Sequence, residues 1–253
     1  MEKELGTSKL KFGLVGKNID YSFSRGYFNT KFKNENLNCV YVNFDLKHIN
    51  RLPTIINQTN HLKGLNVTIP YKEAIIPYLD GLDKRAKAIG AVNTVRLTNQ
   101  NQLIGYNTDY LGFKKSLQNH LRPEHKTALV LGTGGASKAI AYALQTMNIA
   151  FDFVSRSLSA KAKFLYTDLT PDIIKVYPII INCTPIGTFP KVNACPDIPY
   201  EGIGPRHVCY DLIYNPEQTK FLSCAELQGA TAVNGLDMLH IQAEEARKIW
   251  MQE

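Results

Sequence analysis

Leu129-Val130-Leu131-Gly132-Thr133-Gly134-Gly135-Ala136-Ser137-Lys138-Ala139 is an apolar run that breaks into glycines and then resumes as a helix-forming stretch. Apolar residues on both faces suit a strand buried in a parallel sheet. Gly132 permits a tight turn and Gly134 lets a pyrophosphate approach the backbone, while the helix that follows offers unpaired N–H groups and a partial positive charge. A glycine pattern alone is weak, but here the strand before it and the helix after it supply the context that the motif requires. Gly132, Thr133, Gly134, Gly135 and Ala136 are therefore candidate cofactor-binding residues.

The next strand, Phe151–Ser155, ends in Ser155-Arg156-Ser157. A site for NAD carries an Asp or Glu about 20 residues beyond the glycines, which binds the ribose 2′-hydroxyl. A carboxylate there would repel a 2′-phosphate, whereas Arg156 can grip one through charge-assisted hydrogen bonds, with Ser155, Ser157 and Ser159 as further donors. NADP is the cofactor these residues favour.

Outward from this unit, β-rich runs alternate with amphipathic stretches. Strand-like segments occupy Leu10–Gly16, Cys39–Leu46, Leu62–Ile69 (closed by Pro70), Ala91–Leu97 and Gln102–Asn107. A second series holds Thr127–Leu131, Phe151–Ser155, Ile179–Cys183 and Val208–Ile213. Helical patterns cover Ser24–Asn36, a stretch from Tyr71, Gly134–Met147, Gln218–Leu227 and Leu236–Trp250. The alternation predicts an α/β fold of two domains with mostly parallel sheets, divided within Asp109–Arg122, itself read as a connecting helix.

The 253 residues are 44% hydrophobic and 20% charged, ordinary values for a chain with a packed core. No apolar run approaches the roughly 20 residues that span a bilayer. The charged start, Met1 to Gly6, does not resemble a secretory signal, so a cytoplasmic protein without membrane partners is expected. Five scattered cysteines read as reduced thiols, and no His or Cys spacing supports a metal. Cys183 has no His placed by any motif and reads as a core cysteine. The net charge of +7 is spread rather than gathered into an arm or stripe, which argues against nucleic acid and suits an anionic small molecule or a solvated surface.

Leu65-Asn66-Val67-Thr68-Ile69-Pro70-Tyr71-Lys72 places Asn66 and Thr68 on one strand face and Leu65, Val67 and Ile69 on the other. A polar face just before a strand-ending proline suggests a cleft with Lys72 at its mouth; the alternative is an edge strand with a solvated face and a surface lysine. Gly90-Ala91-Val92-Asn93-Thr94 and Gly105-Tyr106-Asn107-Thr108-Asp109 can converge there. Alone, Asn93 reads as a turn residue and Asp109 as a helix cap.

Taken together, these segments resemble the shikimate dehydrogenase family across almost the whole chain. The family's first loop is similar to Gly16–Ser24, its N-V-T-x-P-x-K segment to Asn66–Lys72, and its G-A-V-N-T to Gly90–Thr94. Its N-T-D is similar to Asn107–Asp109, its glycine turn to Gly132–Ala136, and its late N-G-L-x-M-L-x-x-Q to Asn234–Gln242. The resemblance implies an NADP-dependent oxidoreductase that interconverts shikimate and 3-dehydroshikimate in aromatic amino-acid (chorismate) biosynthesis. It implies that Lys72 and Asp109 are the catalytic pair and that Ser22 and Ser24 hold the substrate carboxylate. Asn66, Thr68, Asn93, Asp109 and Gln242 would hold ring hydroxyls, Tyr214 would close over the substrate, and Leu212 and Gly235 would lie beside the nicotinamide. The implied fold has a substrate domain, residues 1–112 completed by 236–253, and a Rossmann-like NADP domain, residues 113–235. The terminal helix would return to the first domain, and the protein would act as a monomer or homodimer.

There are departures from the family pattern. Asn18 and Tyr21 stand where the family commonly has a proline and a histidine, and Arg25 replaces a proline after the second serine. Ser155 replaces the usual asparagine before Arg156, and Lys161 is the nearest candidate for a displaced second basic residue. Two other readings fit the same residues: a quinate/shikimate dehydrogenase that uses NAD, and a non-catalytic NADP-binding regulator.

Overall fold

The computed structural model describes residues 9–20, 22–157 and 162–252, so Tyr21, Ser159 and Lys161 lie outside the described residues. The chain separates into two compact units, residues 1–108 with 243–253, and residues 109–242.

In the first unit, strands β1 (Leu10–Gly16), β2 (Cys39–Asp45), β3 (Leu62–Val67), β4 (Gly81–Leu82), β5 (Thr94–Leu97) and β6 (Leu103–Tyr106) form one sheet in the order β2-β1-β3-β5-β6-β4. Strands β2 and β3 run parallel to β1, while β5 is antiparallel to both β3 and β6. The registers decide where the loops emerge. Val15 pairs with Val67, Asn66 with Thr94, and Thr94 with Tyr106. The ends of β1, β3 and β6 and the start of β5 therefore share one edge of the sheet.

Helices α1 (Phe23–Asn34), α2 (Leu52–Gln58), α3 (Tyr71–Ala74) and α4 (Lys84–Ile89) join these strands. Ser22 caps α1 by accepting the Ser24 N–H at 3.2 Å, and Phe28 and Phe32, one turn apart, are buried. They pack with Phe12, Tyr41, Ala243, Ala246 and Trp250 in one apolar cluster, so the last turns of the terminal helix complete this core. The Trp250 indole stacks on Phe12 at 5.0 Å and donates to the Val95 carbonyl at 3.1 Å. Gly64 makes that possible, because a Cβ there would overlap the Trp250 ring.

In the second unit, α5 (Asp109–Gln118) precedes six strands: β7 (Thr127–Leu131), β8 (Ala150–Ser155), β9 (Ala162–Leu165), β10 (Ile179–Asn182), β11 (Val208–Asp211) and β12 (Thr231–Val233). Helices α6 (Gly135–Thr146), α7 (Pro171–Val176), α8 (Lys220–Leu227) and α9 (Leu236–Trp250) accompany them, the end of α9 belonging to the first unit. All pairings are parallel, in the order β12-β11-β10-β7-β8-β9. This is the doubly wound Rossmann order, and the chain reverses direction between β7 and β10. Ala128, Leu129, Val130 and Leu131 are fully buried, as an apolar run in a central parallel strand requires.

One expectation fails at β3. The strand stops at Val67, and Ile69 is 68% exposed instead of sharing the buried face of Leu65 and Val67. The chain leaves the sheet because the Thr68 carbonyl accepts the Tyr71 N–H at 2.9 Å, closing a turn around Pro70. Nor is β3 a solvated edge strand: it lies between β1 and β5, with Asn66 buried.

Replacing Trp250 by alanine should lower stability by about 3–5 kcal/mol, the usual range for a buried aromatic side chain. Chemical denaturation of the two proteins measures this; a difference under about 1 kcal/mol would mean that the terminal helix contributes little to the first unit's core.

Candidate active site

Within the first unit, the shared sheet edge collects the polar residues singled out in the sequence. Ser22 and Ser24 stand at the N-terminus of α1, in the connection that follows β1. The Tyr41 hydroxyl donates to Asn66 Oδ1 at 2.8 Å and is also hydrogen-bonded to the Ser24 side chain. Burial holds the Tyr41 hydroxyl well above the usual tyrosine range, opposed by the Ser24 bond, so it remains a neutral donor. Asn66 Nδ2 reaches the Asn93 carbonyl at 3.3 Å and Thr94 Oγ1 at 3.4 Å. Asn93 Oδ1 accepts the Thr108 N–H at 2.7 Å, and Asn93 Nδ2 donates to Thr108 Oγ1 at 2.9 Å. Asn107 Nδ2 bonds the Ala91 carbonyl at 2.9 Å. One buried hydrogen-bonded chain thus ties the segments around Ser24, Asn66, Asn93 and Thr108.

Lys72 follows on α3 and is partly exposed. Two bonds fix its backbone: the Tyr71 hydroxyl donates to the Leu46 carbonyl at 2.6 Å, and the Val92 N–H donates to the Lys72 carbonyl at 2.7 Å. Thr68 is held through its own N–H, which donates to the Val15 carbonyl at 2.9 Å. In the loop after β1, Asn18 takes a left-handed φ of 56°, which a proline ring cannot adopt. Asp45 accepts the N–H groups of Asn18 and Ile19 at 3.0 and 3.2 Å, so this loop is held by a carboxylate rather than by a proline.

Asp109, buried, is the first residue of α5 in the second unit. One turn along the same helix, Gly112 packs against Met238 and Gln242 of α9, where a Cβ would lie 2.7 Å from the Met238 carbonyl oxygen. Gln242 donates through Nε2 to the Leu239 carbonyl at 2.9 Å.

The remaining candidates occupy the C-terminal edge of the second sheet. Gly132, directly after β7, has φ +100°, a conformation that favours glycine, and its ideal Cβ would sit 3.0 Å from Thr184 Cγ2. Thr133 is partly exposed, and Gly134, the N-cap of the 12-residue α6, has no atom within 4 Å of its ideal Cβ. Gly135 and Ala136 form the first turn of α6, which contains no acidic side chain. A cradle of this kind, with open space over glycine at a helix N-terminus, fits a dinucleotide pyrophosphate. Ser155 ends β8 and its Oγ accepts the Ser157 N–H at 3.4 Å; Arg156 and Ser157 are exposed. Leu212 and Gly235, predicted to share the nicotinamide, are brought together: a Cβ on Gly235 would overlap the Leu212 carbonyl, and the Gly235 N–H donates to the Ile213 carbonyl at 3.0 Å. Tyr214 follows in the same turn, partly exposed. Burial, with the nearby Asp211 carboxylate adding to it, pushes the Cys183 thiol far up, although the residue is partly exposed and lies outside the apolar core expected for it.

Tyr41, Thr94 and Thr108 had no assigned role from sequence, and neither did Asn182, Asp211 and Thr219 of the second unit. Tyr41 reads as an ordinary strand residue in Cys39-Val40-Tyr41-Val42, and only the tertiary fold shows its hydroxyl between Ser24 and Asn66. Among the described residues no helix is long and apolar enough to cross a membrane, and no group of three or more His, Cys, Asp or Glu could hold a metal ion.

Residues 14–95 match the shikimate dehydrogenase substrate binding domain. The NADP(+) shikimate dehydrogenase of Methanococcus vannielii is 39% identical over 259 residues, covering 94% of this chain and 90% of that protein. That of Clostridium botulinum is 40% identical over 248 residues, covering 94% and 95% respectively. The crystal structure of the Thermus thermophilus shikimate 5-dehydrogenase in complex with NADP(H) and shikimate superposes with a TM-score of 0.85 at 29% identity, covering 96% of this chain and 93% of that one. On sequence and fold alike, the chain belongs to the shikimate dehydrogenase family.

Proposed function

We propose that this protein is an NADP-dependent shikimate dehydrogenase, which reversibly reduces 3-dehydroshikimate to shikimate in the synthesis of aromatic amino acids. The observation that carries the reading is the polar edge of the first sheet, where one hydrogen-bonded chain links Ser24, Tyr41, Asn66, Asn93 and Thr108, with Ser22, Thr68 and Lys72 in the adjoining segments. Such an edge suits a small ring that carries a carboxylate and several hydroxyls. The surplus of positive charge, +7, suits an anionic substrate and a phosphorylated cofactor.

In this reading Gly132–Ala136 would hold the pyrophosphate of NADPH and Ser155, Arg156 and Ser157 its 2′-phosphate, and the bound cofactor would supply the hydride. Ser22 and Ser24 hold the carboxylate through hydroxyl donors at the start of α1. Asn66, Thr68, Asn93 and Gln242 orient the ring hydroxyls, and Tyr214 covers the ring. As the carbonyl oxygen gains negative charge, the Lys72 ammonium stabilises it and donates the proton that completes the alcohol. In the oxidation direction the neutral Lys72 amine takes that proton back. Asp109 is the carboxylate partner in the pair and accepts a ring hydroxyl, while Leu212 and Gly235 line the nicotinamide. The residues that bind substrate fall mainly in the N-terminal part and those that bind cofactor in the part that follows it; the protein acts in the cytoplasm as a monomer or homodimer.

Lys72→Ala should lose about 10²- to 10⁴-fold in kcat, the usual contribution of general acid–base catalysis, with a much smaller change in KM for shikimate. Steady-state kinetics with NADP tests this, and unaltered turnover would reduce Lys72 to a surface lysine. Arg156→Ala should raise KM for NADP about ten-fold or more while leaving that for NAD nearly unchanged, because only NADP brings the phosphate that the guanidinium grips. Equal losses with both cofactors would place the arginine's role elsewhere.

A further inference from the structure

We propose that Asp211 is a positioning residue of the cofactor site, whose carboxylate fixes the Leu212–Tyr214 turn and thereby sets where the nicotinamide end of NADP lies. The proposal rests on the functional reading above. Asp211 ends β11 with no exposed surface, a costly place for a carboxylate unless its oxygens are bonded. Three donors meet it, each from a different part of the fold. Asn182 Nδ2, at the end of β10, reaches Oδ1 at 3.0 Å. The Ile213 N–H, inside the turn itself, reaches the same oxygen at 3.1 Å. The Thr219 hydroxyl donates to Oδ2 at 2.7 Å, and Thr219 also caps α8 by accepting the Leu222 N–H at 3.3 Å.

The network continues across the edge where the cofactor is expected. Asn182 Oδ1 accepts the Thr184 N–H at 3.0 Å and the Thr184 hydroxyl at 2.6 Å, and Thr184 Cγ2 lies beside Gly132 of the glycine turn. On its other side, the Leu212–Tyr214 turn rests on Gly235, whose lack of a side chain admits the Leu212 carbonyl. The turn is thus clamped between a buried carboxylate and a glycine backbone. One group therefore holds the site at which two cofactor neighbours, Leu212 and Gly235, meet.

The same burial raises the Asp211 carboxyl to about 6, against the pull of its three hydrogen bonds. The titratable groups beside it are the Cys183 thiol and the Tyr210 hydroxyl; burial pushes both far up, so both are neutral. A proton on Asp211 turns an acceptor oxygen into a donor that faces groups which themselves donate, and the clamp on the turn loosens. NADP affinity should then fall as the pH drops through about 6. A cofactor 2′-phosphate titrates in the same range, so the comparison must be with a variant lacking the carboxylate.

The experiment is calorimetric titration of NADP into the full chain and into Asp211→Asn at several pH values, alongside shikimate kinetics and thermal melting. The expected result is a variant that melts cooperatively, binds NADP about ten-fold more weakly at neutral pH, lacks the part of the pH dependence near 6 that the parent shows, and loses more in kcat than in KM for shikimate. Equal NADP affinity and the same pH profile in both proteins would overturn the proposal. If Asp211→Asn does not fold, Thr219→Ser should bind NADP like the parent, since the hydroxyl is retained, and Thr219→Val should bind it several-fold more weakly; equal binding by the two would overturn it. Should the parent bind NADP with the expected pH dependence yet oxidise no shikimate, the positioning role stands and the substrate reading falls.

Discussion

Asn66 lies one residue before the end of β3, in a place where its amide has almost no access to water, and the candidate substrate site follows from the bonds that this demands. An unpaired buried amide costs on the order of 1–3 kcal/mol, so each of its polar atoms must be met from inside the protein. Tyr41 meets one end; the Asn93 carbonyl and the Thr94 hydroxyl meet the other. Asn93 in turn is bonded through both ends of its amide to Thr108, and its oxygen also accepts the Thr94 hydroxyl. The strands that contribute these residues are thereby held in register at their polar ends, and Ser24 is brought to the same chain through Tyr41. Amides held this rigidly would suit the proposed recognition of ring hydroxyls, which needs groups that do not turn away.

The second unit meets the same constraint with different residues. Asp211 and Asn182 end two neighbouring buried strands, and their side chains are spent on the loops that leave those strands. Where a side chain would obstruct, glycine stands instead: Gly132 at the left-handed turn and Gly235 against the Leu212 carbonyl. Polar strand ends fix the loops, Gly132 and Gly235 let neighbouring segments pack closely, and Gly134 leaves open space at the start of α6.

Much of this was legible in the sequence. The run Leu129–Ala139 specified strand, turn and helix within a residue or two, because a fully apolar strand and a glycine-rich turn are strong local signals. Leu10–Gly16 and Leu236–Trp250 were equally plain. Short elements were not: α7, with six residues, and β12, with three, show too few positions for a period to emerge. Helix α4 did carry its signals, with Asp83 accepting the Arg85 N–H at one end and Gly90 at φ 70° at the other, but in six residues its apolar face amounts to Ala86 and Ile89 alone. The exposure of Ile69 was hidden because alternation describes a strand only while the strand lasts. Tyr41 and Asp211 were hidden for a deeper reason: their importance lies in partners 25 and 29 residues away, which no local pattern encodes.

The reaction at issue is hydride transfer between a nicotinamide and a hydroxylated cyclohexene acid. The most direct measurement is the growth of nicotinamide absorbance when the purified protein is mixed with shikimate and NADP. The account predicts rapid NADPH formation that depends on shikimate and is much slower with NAD. Binding of NADP without any reduction would contradict it, leaving a protein that carries the fold of a dehydrogenase and performs another task.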